Sequence, residues 1–149
     1  MAPSPETDQT RDIYAHAGHA LYLAQCFEMS FQNLLTVHAR LSSRSVTLTE
    51  LESGEGEAQR QALGGLLREV EQIVPFDAST ELILGDALQK CNCLAHRYFR
   101  ERAAEIRSPD GRDRMIAELE SFQRCFTHAD GLASSIAQSA GRILGITDN

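Results

Sequence analysis

Along the first third of the chain, apolar side chains recur at alternating steps of four and three: Ile13, Ala17, Ala20, Ala24, Phe27, Phe31 and Leu34, then His38 and Leu41. Such steps keep residues on one side of a 3.6-residue turn, so the spacing predicts a long helix over about 10–41 with one buried seam. A second row runs beside it, Tyr14, Gly18, Leu21, Gln25, Glu28, Gln32 and Leu35, apolar at its ends and polar in the middle. Polar groups bordering a buried seam need hydrogen-bond partners, so Gln25 and Glu28 are expected to meet polar groups from elsewhere in the chain.

Ser42-Ser43-Arg44-Ser45 ends that pattern, and Thr47 with Glu50 has the spacing of a capping box, consistent with a short helical turn. Leu63, Leu66, Leu67, Val70, Ile73 and Val74 predict a shorter amphipathic helix over about 57–74, stopped by Pro75. A third helix, about 79–106, takes Ser79 or Thr80 as its cap and has an inner row of Leu84, Leu88, Cys91, Ala95 and Tyr98. Ser108-Pro109-Asp110-Gly111 reads as a turn. The fourth helix, about 112–144, carries Met115, Leu119, Phe122, Phe126, Ala129, Ala133, Ile136, Ala140 and Ile143, with Gly145 placed to end it. The expectation is an all-α fold, an antiparallel four-helix bundle over residues 10–145 as a single domain, after a disordered lead-in at 1–9. Two helices of about 45 Å outreach the shorter ones, and a homodimer would cover the apolar surface left over.

Composition narrows the class. The 149 residues are 42% hydrophobic with no Trp, enough for one core and suited to helices. The longest uncharged run of the first helix, residues 13–27, is too short to cross a bilayer and contains His16, His19 and Gln25, so no membrane span is expected. The N-terminal residues lack the basic and apolar regions of a secretory signal, which points to a cytoplasmic protein. Cys26, Cys91, Cys93 and Cys125 all fall inside predicted helices and read as thiols. Cys91, Cys93 and His96 look metal-like in print, but residues two apart on a helix face nearly opposite ways, and no metal or cofactor is expected. His16 with His19, and Cys125 with His128, offer two ligands each, and His38 sits on the apolar seam as a core histidine. No phosphate loop, HExxH or GxSxG pattern is present.

A net charge of −7 argues against a protein that coats nucleic acid. The charge is uneven, however. Residues 90–114 hold seven of the 14 Lys and Arg against four acids: Lys90, Arg97, Arg100, Arg102, Arg107, Arg112 and Arg114. A basic segment suits a phosphate-bearing ligand, and it equally suits a solvated helix face.

That segment opens with Cys91-Asn92-Cys93-Leu94-Ala95-His96-Arg97-Tyr98, which places an amide, an imidazole and a phenol within two helical turns. The stretch resembles the signature of the HEPN superfamily, in which an Arg followed by a polar residue precedes a His by five to seven positions, with a Tyr two residues later in some branches. Asn92, His96 and Tyr98 match; Cys91 stands at the usual Arg position, and Lys90 is the nearby cationic substitute. The resemblance implies a helical bundle whose motif residues line a cleft at a two-fold dimer interface. It also implies metal-independent RNA cleavage in a toxin–antitoxin or defence setting, with Tyr98 at the position that a partner nucleotidyltransferase modifies with AMP. Core packing is the competing role for Tyr98.

On a regular helix Asn92, His96 and Phe99 share one face, and Cys91, Ala95 and Tyr98 another. In the implied chemistry His96 is the general acid or base, Asn92 supports it, and Lys90 or Arg97 supplies the cation. Gln25 or Glu28 would orient the imidazole, with Tyr98 and Arg100 supporting at the rim. A thiol in place of the cation removes transition-state stabilisation, on the order of 3 kcal/mol for one donor, which favours a catalytically silent HEPN-like module binding RNA, nucleotide or a protein partner. An active ribonuclease and an unrelated helical interaction protein remain as alternatives.

Overall fold

The seam that begins at Ile13 folds as helix α1, Pro5–Leu41, in a computed structural model that describes residues 5–42 and 44–146. The chain continues through α2 (Leu48–Ser53), α3 (Gly56–Glu71), α4 (Ser79–His96), α5 (Tyr98–Glu101), a 3-10 turn at Glu105–Arg107 and α6 (Pro109–Ile143). The described residues contain no strand, and no helix among them is long and apolar enough to cross a membrane. Ile13, Ala20, Phe27, Phe31 and Leu34 of α1 and Met115, Leu119, Phe126, Ala129 and Ala133 of α6 join one core with Leu84 and Leu88 of α4, while Ile143, expected on the same seam in the last turn of α6, is 61% exposed.

The two long helices run parallel, which departs from the antiparallel arrangement expected from four alternating passes. Gln9 reaches Asp113 at 2.9 Å, His16 reaches Gln123 at 3.2 Å, and Ser30 bonds Asp130, so partners advance together along both helices. Helix α4, continued by α5, opposes both, with Tyr98 of α5 bonded to the Met115 carbonyl, Asp86 of α4 to Cys125, and Phe99 of α5 on Tyr14. The reason is α2. It carries the chain back along α1 to the level of Glu28, so α3 descends in the same direction as α1, ending where Glu69 meets His38 at 3.2 Å. Five passes, unlike four, return the last helix parallel to the first.

Local chemistry explains the boundaries. The Thr47 hydroxyl accepts from the Glu50 amide and starts α2, as its spacing implied. Helix α1 begins five residues earlier than expected because Gln9 is clamped on α6: its amide donates to Asp113 and to the Pro109 carbonyl, and its oxygen accepts from Arg112 Nε at 2.7 Å. The part of the expected lead-in at residues 1–4 lies outside the described residues. Neither Ser79 nor Thr80 caps α4: the N-cap position falls on Ala78, and Asp77 before it accepts from the Ser79 amide at 2.9 Å and from its hydroxyl, bonds that hold the Asp77 carboxyl below the usual range.

Ser108-Pro109-Asp110-Gly111 is the N-terminus of α6 and not a free turn: Ser108 Oγ accepts from the Gly111 amide, and Pro109 takes the first helical position. Gly111 is required there, since a Cβ would lie 2.0 Å from the Glu105 carbonyl oxygen. At the other end Gly145, at φ +73°, closes α6 with Ile146 N–H donating to the Gly141 carbonyl and its own N–H to Arg142, a Schellman pair.

Candidate functional site

The predicted helix over 79–106 breaks inside the motif. Arg97 leaves helical geometry at φ −134°, ψ −18°, although its N–H still reaches the Cys93 carbonyl. Two side chains hold the break. Tyr98 is 1% exposed and donates its hydroxyl to the Met115 carbonyl at 3.2 Å. Arg102 donates to the Tyr98 carbonyl, lies 4.0 Å from the Tyr98 ring centroid, and forms a two-point pair with Glu118. On a continuous helix Ala95 and Tyr98 would share the inner row; instead Ala95 is exposed and the kink turns Tyr98 back into the core. The motif therefore spans a helix end, and its residues fall into three environments.

The outer environment holds His96, which is exposed and makes no hydrogen bond or ion pair among the described residues. Asn92 is half-buried and likewise without a hydrogen bond, and Gln25 is exposed, so neither orients the imidazole. Arg97 lies 3.7 Å from Glu101, and Arg100 is exposed with no ion pair. Tyr14 and Phe99 meet as a tilted pair with ring centroids 5.7 Å apart and 58% and 40% of their surfaces exposed, and Leu21, Tyr22 and Met29 extend this apolar strip along α1.

The second environment is the α4–α6 side, where the fold engages Lys90, Arg102 and Arg112 of the basic segment. Lys90 Nζ contacts both Asp86 oxygens at 2.6 Å and lies 5.5 Å from the centre of the Phe122 ring. Among the described residues it makes no contact with His96. Arg112 is buried, held by Gln9 and the Ile106 carbonyl. The Glu118 hydrogen bond raises the Arg102 guanidinium further above its usual range, and Arg102 in turn holds the Glu118 carboxyl low. Burial, followed by the Glu118 charge, pushes the Tyr98 phenol up. Tyr98 is thus a packing residue, the role that competed with exposure to a partner enzyme.

The third environment is the one Glu28 joins. The polar middle of its row meets not His96 but Glu52 of α2 and Cys91 of α4, whose ligand atoms all lie within 4.8 Å of one another. Burial, then a hydrogen bond and repulsion from Glu28, push the Glu52 carboxyl from 4.5 up to about 8. Burial and the two carboxylates push the Cys91 thiol far above its usual range, which makes it inert as a nucleophile. Cys125, under Asp86, is raised to about 11, chiefly by burial. Glu52 went unrecognised in the sequence because only the Thr47 cap flags its helix, and nothing in the pattern pairs it with a residue 39 positions on. Of the paired residues, His16 is held by Gln123 and Glu120, and Cys125 bonds Asp86. His38 is fully buried with Nε2 on Glu69 and Nδ1 without a partner, a half-satisfied core histidine.

No family model, curated protein or solved structure matches the chain.

Proposed function

We propose that the chain is a HEPN-like helical module, silent as a nuclease, that binds RNA through the surface around His96. The observation that carries this reading is the separation of His96 from a fixed cation. The residue at the Arg position, Cys91, is 4% exposed and turned toward two carboxylates, and Lys90 is committed to Asp86 and Phe122. A phosphorane on His96 would find no preorganised positive charge. Binding needs less. The exposed Tyr14–Phe99 pair offers a stacking platform, and Arg97 and Arg100 beside it offer charge to phosphates. A cytoplasmic toxin–antitoxin or defence setting comes with the resemblance, as does a homodimer, for which the exposed row of Leu21, Tyr22 and Met29 is the apolar surface to cover.

The ribonuclease alternative rests on Arg97, adjacent to His96 and held only by Glu101. One experiment separates the readings. Wild type, His96→Ala and Cys91→Arg are incubated with a mixed RNA pool in EDTA, and binding of a short single-stranded RNA is followed by fluorescence anisotropy in wild type and Phe99→Ala. The expected result is no cleavage by the wild type and about tenfold weaker binding in Phe99→Ala, since one base stack is worth about 1–3 kcal/mol. Wild-type cleavage lost in His96→Ala would establish the ribonuclease. Absence of both cleavage and binding would replace RNA by a protein partner.

A further inference from the structure

We propose that Glu28, Glu52 and Cys91 form a binding site for a zinc-class divalent cation that ties α1, α2 and α4 together. The three side chains arrive from three separate elements, and their ligand atoms lie within 4.8 Å of one another. Two further observations indicate that the cluster lacks a partner. Among the described residues Cys91, 4% exposed, makes no hydrogen bond, and Glu52 Oε1, sealed from solvent, has no hydrogen-bond partner. Among the described residues no Lys, Arg or His forms an ion pair with either carboxylate, although the same helix spends Lys90 on the more exposed Asp86. Two half-buried carboxyl groups held together without a cation repel one another, and a divalent ion would supply the opposing charge.

The donor set selects the ion. A thiolate with two carboxylates suits a borderline metal such as Zn²⁺ or Co²⁺, whereas Mg²⁺ and Ca²⁺ take oxygen ligands. Zinc bonds of roughly 2.0–2.3 Å need the donors slightly closer than they stand, a movement within the reach of two flexible, half-buried Glu side chains. Three protein ligands leave a fourth position for water. Binding as a thiolate requires Cys91 to release its proton, so affinity rises with pH.

The test uses the full chain stripped with chelator and titrated with Co²⁺, followed by absorbance and by thermal melting. The expected result is one equivalent bound, with a thiolate-to-cobalt charge-transfer band and four-coordinate d–d bands, displaced by Zn²⁺ and not by Mg²⁺. Cys91→Ser should lose the charge-transfer band, Glu52→Gln should weaken binding at least tenfold, and Zn²⁺ should raise the melting temperature of wild type only. A wild type without the band, or a band unchanged in Cys91→Ser, would overturn the proposal and leave a proton-sharing carboxyl pair. If Cys91→Ser fails to fold, Glu52→Gln decides, because undiminished affinity in that isosteric variant is equally fatal.

Discussion

Two polar clusters flank α4, and they are built on opposite electrostatic terms. At the α4–α6 end, Arg102, Glu118 and Tyr98 combine one cation, one anion and one phenol, and each finds a partner. At the α1–α2 side, Glu28, Glu52 and Cys91 combine two acids and a thiol, with a carboxyl oxygen left bare. The first cluster explains itself as architecture: it satisfies the break at Arg97 and seats Tyr98. The second explains nothing about stability and costs some. A buried group that the fold does not satisfy is where a ligand or a function is most economically sought.

Disrupting the balanced cluster should have the largest effect. Arg102→Met leaves Glu118 and the Tyr98 carbonyl without their donor and is expected to cost about 2–3 kcal/mol, a fall in melting temperature of roughly 5–10 °C for a chain of this size. A melt within 2 °C of wild type would show that the pair is ornamental.

Relieving the unbalanced cluster should act in the other direction and depend on pH. Between about 4.5 and about 8 the unfolded chain releases the Glu52 proton while the folded chain keeps it, so folding takes up a proton and stability falls as pH rises through that window. Facing Glu52 are Glu28 from α1 and Cys91 from α4, neither of which brings positive charge. In EDTA, Glu52→Gln should therefore melt with the wild type near pH 4.5 and be more stable at pH 8.5. Discounted for partial exposure, the gain is on the order of 1–2 kcal/mol. Parallel melting curves for the two proteins at every pH would remove the carboxyl pair from the argument.

A smaller effect comes from the cap that positions Glu52. Thr47→Ala removes the acceptor of the Glu50 amide and should cost about 1 kcal/mol, concentrated in faster hydrogen exchange of α2 amides. His96→Ala, on the exposed face, should change stability by less than about 0.5 kcal/mol, which makes it a clean variant for binding and cleavage assays.

How much of this was legible in the sequence follows from how local each cause is. The seams of α1 and α6 repeat over about seven turns, so their existence and burial up to the last turn of α6 could be read directly, as could the end at Gly145 and the small helix after Thr47. The direction of α6 could not, because it depends on a six-residue helix counting as a full pass. Nor could the break at Arg97: no Gly or Pro lies between Asp86 and Ser108, and the cause is the grip of Arg102 on Tyr98 and Glu118, sixteen residues away. Ser108-Pro109, just past that stretch, announced the start of a helix. Within the site, Glu28 was legible as a polar residue needing company, but its company was placed on α4 at His96 when it lies at Cys91, one side of the helix away.

The parallel course of α1 and α6 also sets the mechanics of the molecule. Pro5 and Ile146, the ends of the described chain, lie at opposite poles, separated by about 50 Å of helix. Force applied between them therefore does not peel the two long helices apart turn by turn. It drives one along the other, so that the contacts from Gln9 to Ser30 are loaded together and yield as a unit. A tether attached at either end would pull against the length of the seam, and the molecule would resist as a lap joint resists, in shear.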